Sequence, residues 1–226
     1  MTGIDFVRRE VDFLDGQNYV MVGLRHAGKS YLMYQHIAEL LEKGYRKEQI
    51  LYFNFEDDRI DSLQLSDLEL IKVCYEEMYD LRPVFFLDEI QIVEGWERFA
   101  RRLADQKYCV YITGSNAKML SAEIATTLGG RYMIQEVFPY SFREYMKAHG
   151  LDLSDSNAVY SMRKQIVRMA DEYLYKGGMP ETAAMAAPRQ WLSSLFNKIT
   201  QIIGLRQAGT EYLIKHIFKK ENRIND

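Results

Sequence analysis

Gly23-Leu-Arg-His-Ala-Gly28-Lys29-Ser30 follows a short apolar run, and its spacing is G-x-x-x-x-G-K-[ST] without a departure. Each residue type in that pattern has a physical use. The glycines let the backbone wrap so that successive N–H groups converge on phosphate oxygens. A helix opening at Lys29 adds the positive end of its dipole. The Lys29 ammonium can neutralise β- and γ-phosphate charge, and Ser30 offers a hydroxyl to Mg²⁺. Gly23, Leu24, Arg25, His26, Ala27, Gly28, Lys29 and Ser30 are therefore the candidate phosphate-binding set. A coincidental Gly-rich turn is the competing explanation, and the strand before and amphipathic helix after it weigh against that.

A second apolar run, Val84-Phe-Phe-Leu, ends in two carboxylates, Asp88 and Glu89. Carboxylates at the end of a parallel strand lie on the rim where ligands bind. There Asp88 would hold Mg²⁺ through its water shell, and Glu89 would polarise the water that attacks a γ-phosphate. Taken alone, the pair could be an ordinary acidic loop; it gains meaning beside the glycine loop. The pair suits water as nucleophile, and no Arg-rich lid marks a small-molecule kinase, so ATP hydrolysis is the expected reaction. Cys109-Val-Tyr-Ile-Thr113-Gly-Ser115-Asn116 puts three more polar side chains at a strand end, either to hold water or sense the γ-phosphate, or to cap a following helix. Arg131, after Leu128-Gly-Gly, is either a catalytic cation supplied within the chain or to a neighbour, or a surface arginine after a flexible turn. His36, His149 and His216 have no ligand spacing, so no metal beyond Mg²⁺ is expected. No motif separates adenine from guanine directly; the guanine-reading N-K-x-D pattern is absent, which favours ATP by elimination.

Five apolar runs would position these groups: Tyr19–Val22, Ile50–Phe55, Val84–Leu87, Cys109–Ile112 and Met133–Val137. Most are continuous, as for a parallel sheet covered on both faces. Between them Leu32, Met33, Ile37, Leu40 and Leu41 share one helix face that Gly44 would end. Leu68, Ile71, Cys74 and Met78 predict a second such face, and Trp96, Phe99 and Leu103 a third. The alternation predicts a right-handed, doubly wound α/β sheet. After Pro139 the spacing is helical, through Phe142–Met146, then Val159, Met162, Ile166, Met169 and Tyr173, then Leu192, Leu195, Ile199 and Ile202. With the polar linker Gly150–Asn157, this predicts a core over residues 1–150 and a helical unit over 151–226, fraying from Phe218.

The chain has 226 residues, 47% hydrophobic and 27% charged, and 29 basic against 32 acidic residues for a net charge of −3. That composition excludes a disordered, collagen-like or disulfide-scaffold protein, and the charge predicts no strong non-specific grip on nucleic acid or anionic membrane. Cys74 and Cys109 lie in apolar stretches and are expected as buried free thiols in a reducing compartment. With neither a signal-peptide pattern nor a run of 18 apolar residues, a cytoplasmic location is expected.

Further pieces occur in order along the chain: Phe6-Val-Arg-Arg9-Glu10, Gly23–Ser30, Leu87-Asp-Glu-Ile-Gln91 followed by Trp96, and Thr113-Gly-Ser-Asn116. Leu120-Ser, Leu128-Gly-Gly-Arg131, Phe138-Pro-Tyr-Ser-Phe-Arg-Glu-Tyr145 and Gly177-Gly-Met-Pro180-Glu181 complete the set. Together they resemble the prokaryotic AAA-type P-loop ATPases of the extended ATPase family, close to the signal-transduction ATPases with numerous domains. The resemblance implies a three-layer P-loop NTPase fold with sheet order 5-1-4-3-2. It implies Ser115 or Asn116 as a sensor, Arg131 as a candidate finger, and Pro180 and the segment around Arg9 near the adenine. Such relatives usually carry a further C-terminal domain, which is not expected in this chain; a fragment, a truncated product and a minimal member are the alternatives. The implied function is Mg²⁺-dependent ATP binding and hydrolysis, with Glu89, Lys29 and Arg131 catalytic and Ser30 and Asp88 at the metal, driving a switch or motor with a protein partner or a second copy. Two alternatives stand beside it: a nucleotide-binding interaction module with little hydrolysis, and a DNA-associated ATPase using Arg163, Lys164, Arg168, Lys198 and Lys215–Lys220. No membrane partner is expected.

Overall fold

The computed structural model describes residues 7–60, 62–115, 123–151, 161–185 and 190–194. Strands β1 (Tyr19–Val22), β2 (Ile50–Asn54), β3 (Val84–Asp88), β4 (Val110–Gly114) and β5 (Met133–Glu136) form one sheet in the order β2-β3-β4-β1-β5. All neighbours are parallel, so the expected order 5-1-4-3-2 is the one observed. Helices α1 (Lys29–Glu42), α2 (Leu65–Tyr79), α3 (Trp96–Asp105) and α4 (Glu123–Thr127) connect the strands, and α5 (Phe142–Ala148) and α6 (Arg163–Lys176) follow them.

The pleat sends alternate residues to opposite faces. Val20, Val22, Phe85, Leu87, Val110 and Ile112 meet Leu68 of α2, Trp96, Phe99 and Leu103 of α3, and Ile124 of α4. On the other face Tyr19, Met21, Phe86 and Tyr111 meet Leu32, Met33, Ile37 and Leu40 of α1. These two clusters make the three layers. α1 ends as its sequence predicts: Gly44, at φ 96°, donates to the Leu41 carbonyl and Tyr45 to that of Leu40, the paired bonds of a glycine-terminated helix.

The inward face of α2 differs from the one expected. Leu68 is buried and Ile71 half-buried, but Cys74 is exposed and Met78 is 71% exposed. The buried face is instead centred between Leu68 and Lys72, roughly a quarter-turn or more from Cys74 and Met78 at ~100° per residue. Lys72 disguises it in the sequence. Its stem is buried while its ammonium reaches Glu69 at 2.9 Å and lies 5.7 Å from the centre of the Tyr108 ring. The expectation of two buried thiols is corrected accordingly: both cysteines are free, Cys74 exposed and Cys109 half-buried.

Beyond the sheet, Tyr145, Met146, Leu151 and Met169 form a third apolar cluster that packs α5 against α6. The chain divides into two compact units, Met1–Met185 and Ala186–Asp226; residues 190–194 of the second are helical.

Candidate functional site

Register brings the strand ends into line. Val22 pairs with Gly114 and with Glu136, and Asn54 with Asp88. Gly23, Glu89 and Ser115 are each the next residue after such an end, so all three stand on one rim. Gly23 cannot carry a side chain, because a Cβ there would lie 2.2 Å from the Val137 carbonyl oxygen. Gly28, at φ 94°, turns the loop into α1 with no side-chain cap. The first-turn amides of α1 therefore face the loop without intrahelical partners.

Lys29 is only 4% exposed. Its Nζ donates to the carbonyls of Leu24 at 3.1 Å and Gly23 at 3.3 Å and lies 3.7 Å from Glu89 Oε1. Burial lowers its pKa, and the Glu89 and Asp88 carboxylates act against that. Asp88 is buried and accepts from the Tyr52 hydroxyl at 2.8 Å on Oδ2 and from Thr113 at 2.5 Å on Oδ1. The same Thr113 oxygen accepts from the Glu89 amide at 2.9 Å, so one buried hydroxyl sets both acidic residues. Glu89 has a left-handed backbone, φ 55°. Its Oε2 accepts from Ser115 at 2.8 Å and from Gln91 at 2.5 Å.

A groove of about 510 Å³ opens beside the loop, lined in part by Arg9, Gly28, Tyr31, Tyr140, Pro180 and Glu181. Arg9 braces it. Its guanidinium donates to Glu144 Oε1 at 2.8 Å, the Ala27 carbonyl at 3.0 Å and the Phe138 carbonyl at 2.6 Å. It also lies 5.2 Å from the centre of the Tyr140 ring. Within the loop His26 Nδ1 lies 2.6 Å from Glu181 Oε1, and Arg25 pairs with Glu56 at 3.1 Å.

Lys29, Asp88, Glu89 and Ser115 are thus brought together, with Pro180 and Arg9 on the groove beside them. Arg131 is not. It precedes β5 and sits at the strand-start end, donating to Asp105 at 2.6 Å. Asn116 lies outside the described residues, as do Lys198 and Lys215–Lys220. Arg163, Lys164 and Arg168 are exposed on α6, and Arg168 pairs with Glu172 at 3.3 Å. Sequence reasoning missed Tyr52, Gln91, Glu144 and Glu181 as contributors. Gln91, Glu144 and Glu181 had a signal, since each stands inside a quoted motif, whereas Tyr52 had none.

Ser30 and Asp88 supply oxygen donors only, the chemistry Mg²⁺ prefers. Among the described residues no three His, Cys, Asp or Glu side chains gather.

A family model described as an AAA domain matches residues 15–146. The chain belongs to the AAA domain family. The AAA match runs from just before β1 into α5 and so takes in Gly23–Ser30, Asp88, Glu89 and Ser115. The chain is 34% identical over 173 residues to the uncharacterized protein MJ1544 of Methanocaldococcus jannaschii, covering 76% of this chain and 37% of that protein. It is 34% identical over 213 residues to an uncharacterized protein of Haemophilus influenzae, covering 90% of this chain and 49% of that one. The chain thus spans less than half the length of either relative. A solved structure of the yeast Hsp104:casein complex aligns over 80% of this chain and 35% of its own, with 14% identity and a TM-score of 0.46. No helix among the described residues is long and apolar enough to cross a membrane.

Proposed function

We propose that this AAA domain binds ATP with Mg²⁺ and hydrolyses it, and that its bound and released states act as a conformational switch. The observation that carries this reading is Lys29, an ammonium buried at the strand-end rim between two backbone carbonyls and Glu89. A desolvated cation held so weakly is suited to an anion, and β- and γ-phosphate oxygens would replace the carbonyl partners. Ser30 and Asp88 would hold Mg²⁺, which when bound offsets phosphate charge. Tyr52 and Thr113 keep the Asp88 carboxylate fixed on the rim. Released from Lys29, Glu89 would take the proton of an attacking water, with Ser115 beside it. The base would lie in the groove against Tyr140 and Pro180. Arg131, on the opposite end of the sheet, would act only if presented to a neighbouring copy.

One observation favours a second reading. Glu89 is engaged by Lys29, Gln91 and Ser115 at once, as in a domain that binds nucleotide to fix a partner surface and turns it over slowly. Steady-state hydrolysis and ATP binding with Mg²⁺, measured beside Lys29→Ala and Glu89→Gln, separate the two. Turnover lost in both variants, with binding kept in Glu89→Gln, supports the ATPase. Tight binding with stoichiometric ADP and negligible wild-type turnover supports the interaction module. Wild-type binding by Lys29→Ala refutes both.

A further inference from the structure

We propose that Gln91 is a positioning residue that fixes which oxygen of Glu89 faces the reaction. The inference rests on the ATPase reading above. The two oxygens of Glu89 are unequal. Oε2 accepts two short hydrogen bonds, from Gln91 Nε2 at 2.5 Å and Ser115 Oγ at 2.8 Å, whereas among the described residues Oε1 has the longer 3.7 Å approach of Lys29 alone. An oxygen that already accepts two neutral donors is a poor place for a further proton. Oε1 is left exposed to one once Lys29 turns to phosphate.

The orientation of the Gln91 amide follows from chemistry. Turned over, it would set a carbonyl oxygen 2.5 Å from a carboxylate oxygen, two acceptors with no proton between them. The local fold serves the same contact. Gln91 lies in the single turn Ile90–Ile92 directly after Glu89, whose left-handed φ of 55° is anchored through its amide to Thr113. That conformation is unfavourable for a residue with a side chain and persists only where surrounding contacts impose it.

A second observation argues against a purely structural glutamine. Its Oε1 is buried and meets no donor among the described residues. A residue serving packing alone would be better filled by an apolar side chain of the same shape, since an unpaired buried acceptor costs stability. The donor toward Glu89 is the one polar atom of the side chain that is used.

Gln91→Met tests this directly, because it keeps volume, removes the donor and removes the unpaired acceptor. In the full chain, kcat should fall about tenfold or more. The KM for ATP, binding of a fluorescent ATP analogue and the Tm should stay at wild-type values. Ser115→Ala removes the other donor to the same oxygen and should lower kcat in the same way. Glu89→Gln is the control for the underlying reading. If it loses turnover while Gln91→Met keeps wild-type or higher kcat, the positioning role is refuted and the ATPase stands. If Gln91→Met lowers kcat only with parallel losses of affinity and Tm, the residue is structural and the inference falls. Absent wild-type turnover, or full turnover in Glu89→Gln, overturns both.

Discussion

Replacing Arg9 by Met should destabilise the fold strongly although Arg9 lies outside the rim itself. Arg9 is 8% exposed, and its guanidinium makes three hydrogen bonds that join the phosphate loop at Ala27, the segment after β5 at Phe138 and α5 at Glu144. The Arg9 and Glu144 side chains are 8% and 7% exposed, so the pair is desolvated. Removing one member of a buried pair leaves an uncompensated charge, and such changes cost about 3–5 kcal/mol. Glu144 keeps the amides of Ser141 at 2.8 Å and Glu10 at 3.3 Å, and Met retains much of the packing of the Arg9 stem. Both place the expectation near the low end, about 3 kcal/mol. For a chain of this size that is a fall in Tm of roughly 6–12 °C. Urea and thermal unfolding of wild type, Arg9→Met, Glu144→Gln and the double variant measure it, and the coupling between the two sites should be at least ~1 kcal/mol. Acid adds an independent readout. Burial alone would raise the Glu144 carboxyl, but the Ser141 amide and Arg9 outweigh it and hold it below its ordinary 4.5. A carboxyl lowered on folding stabilises above that value and loses its contribution as pH falls through the folded one. Wild type should therefore lose stability below about pH 4.5 more steeply than Arg9→Met. A cost under about 1 kcal/mol, or additivity of the two changes, would refute this account of the brace.

Thr113→Val keeps the shape but strips a partner from both Asp88 and the Glu89 amide, for an expected loss of about 2–5 kcal/mol in denaturant unfolding, together with impaired turnover. Gly23→Ala forces a Cβ to 2.2 Å from the Val137 carbonyl, so it should destabilise by at least about 1–3 kcal/mol and weaken ATP binding in calorimetry. Lys29→Met should bind no ATP yet remain folded. Because burial lowers the Lys29 pKa below 10.5, wild type should gain stability relative to this variant as pH rises toward that value, which melts at stepped pH would show. Arg131→Ala should leave ATP affinity unchanged within about twofold; a tenfold loss in a monomer would contradict its placement at the far end of the sheet.

Much of this was legible in the sequence because the physics was local. A continuous apolar strand announces itself, and the spacing of Gly23, Gly28, Lys29 and Ser30 is a short-range requirement of wrapping a backbone round phosphate. What was not legible depended on residues meeting across long separations or on side chains with two characters. Arg9 and Glu144 are 135 positions apart, and nothing local to either shows that they pair. Lys72 reads as a solvated charge yet buries its stem, which rotated the expected inner face of α2 toward Cys74 and Met78. Arg131 is the instructive case, since its placement was already implied. In an all-parallel sheet, a residue that follows a strand stands on one rim and a residue that precedes one stands on the other. Gly23 follows β1 and Arg131 precedes β5, which pairs with β1 in register. A strand of 4 residues spans about 13 Å at ~3.3 Å per residue, so the sheet itself separates the two. The ion pair with Asp105 at the end of α3, which leads into β4 from the same side, holds the guanidinium there. Motif order left Arg131 open as a finger in its own chain, a finger for a neighbour or a surface residue. Strand direction shows that, within one chain, it stands at the end of the sheet opposite the Gly23–Ser30 loop.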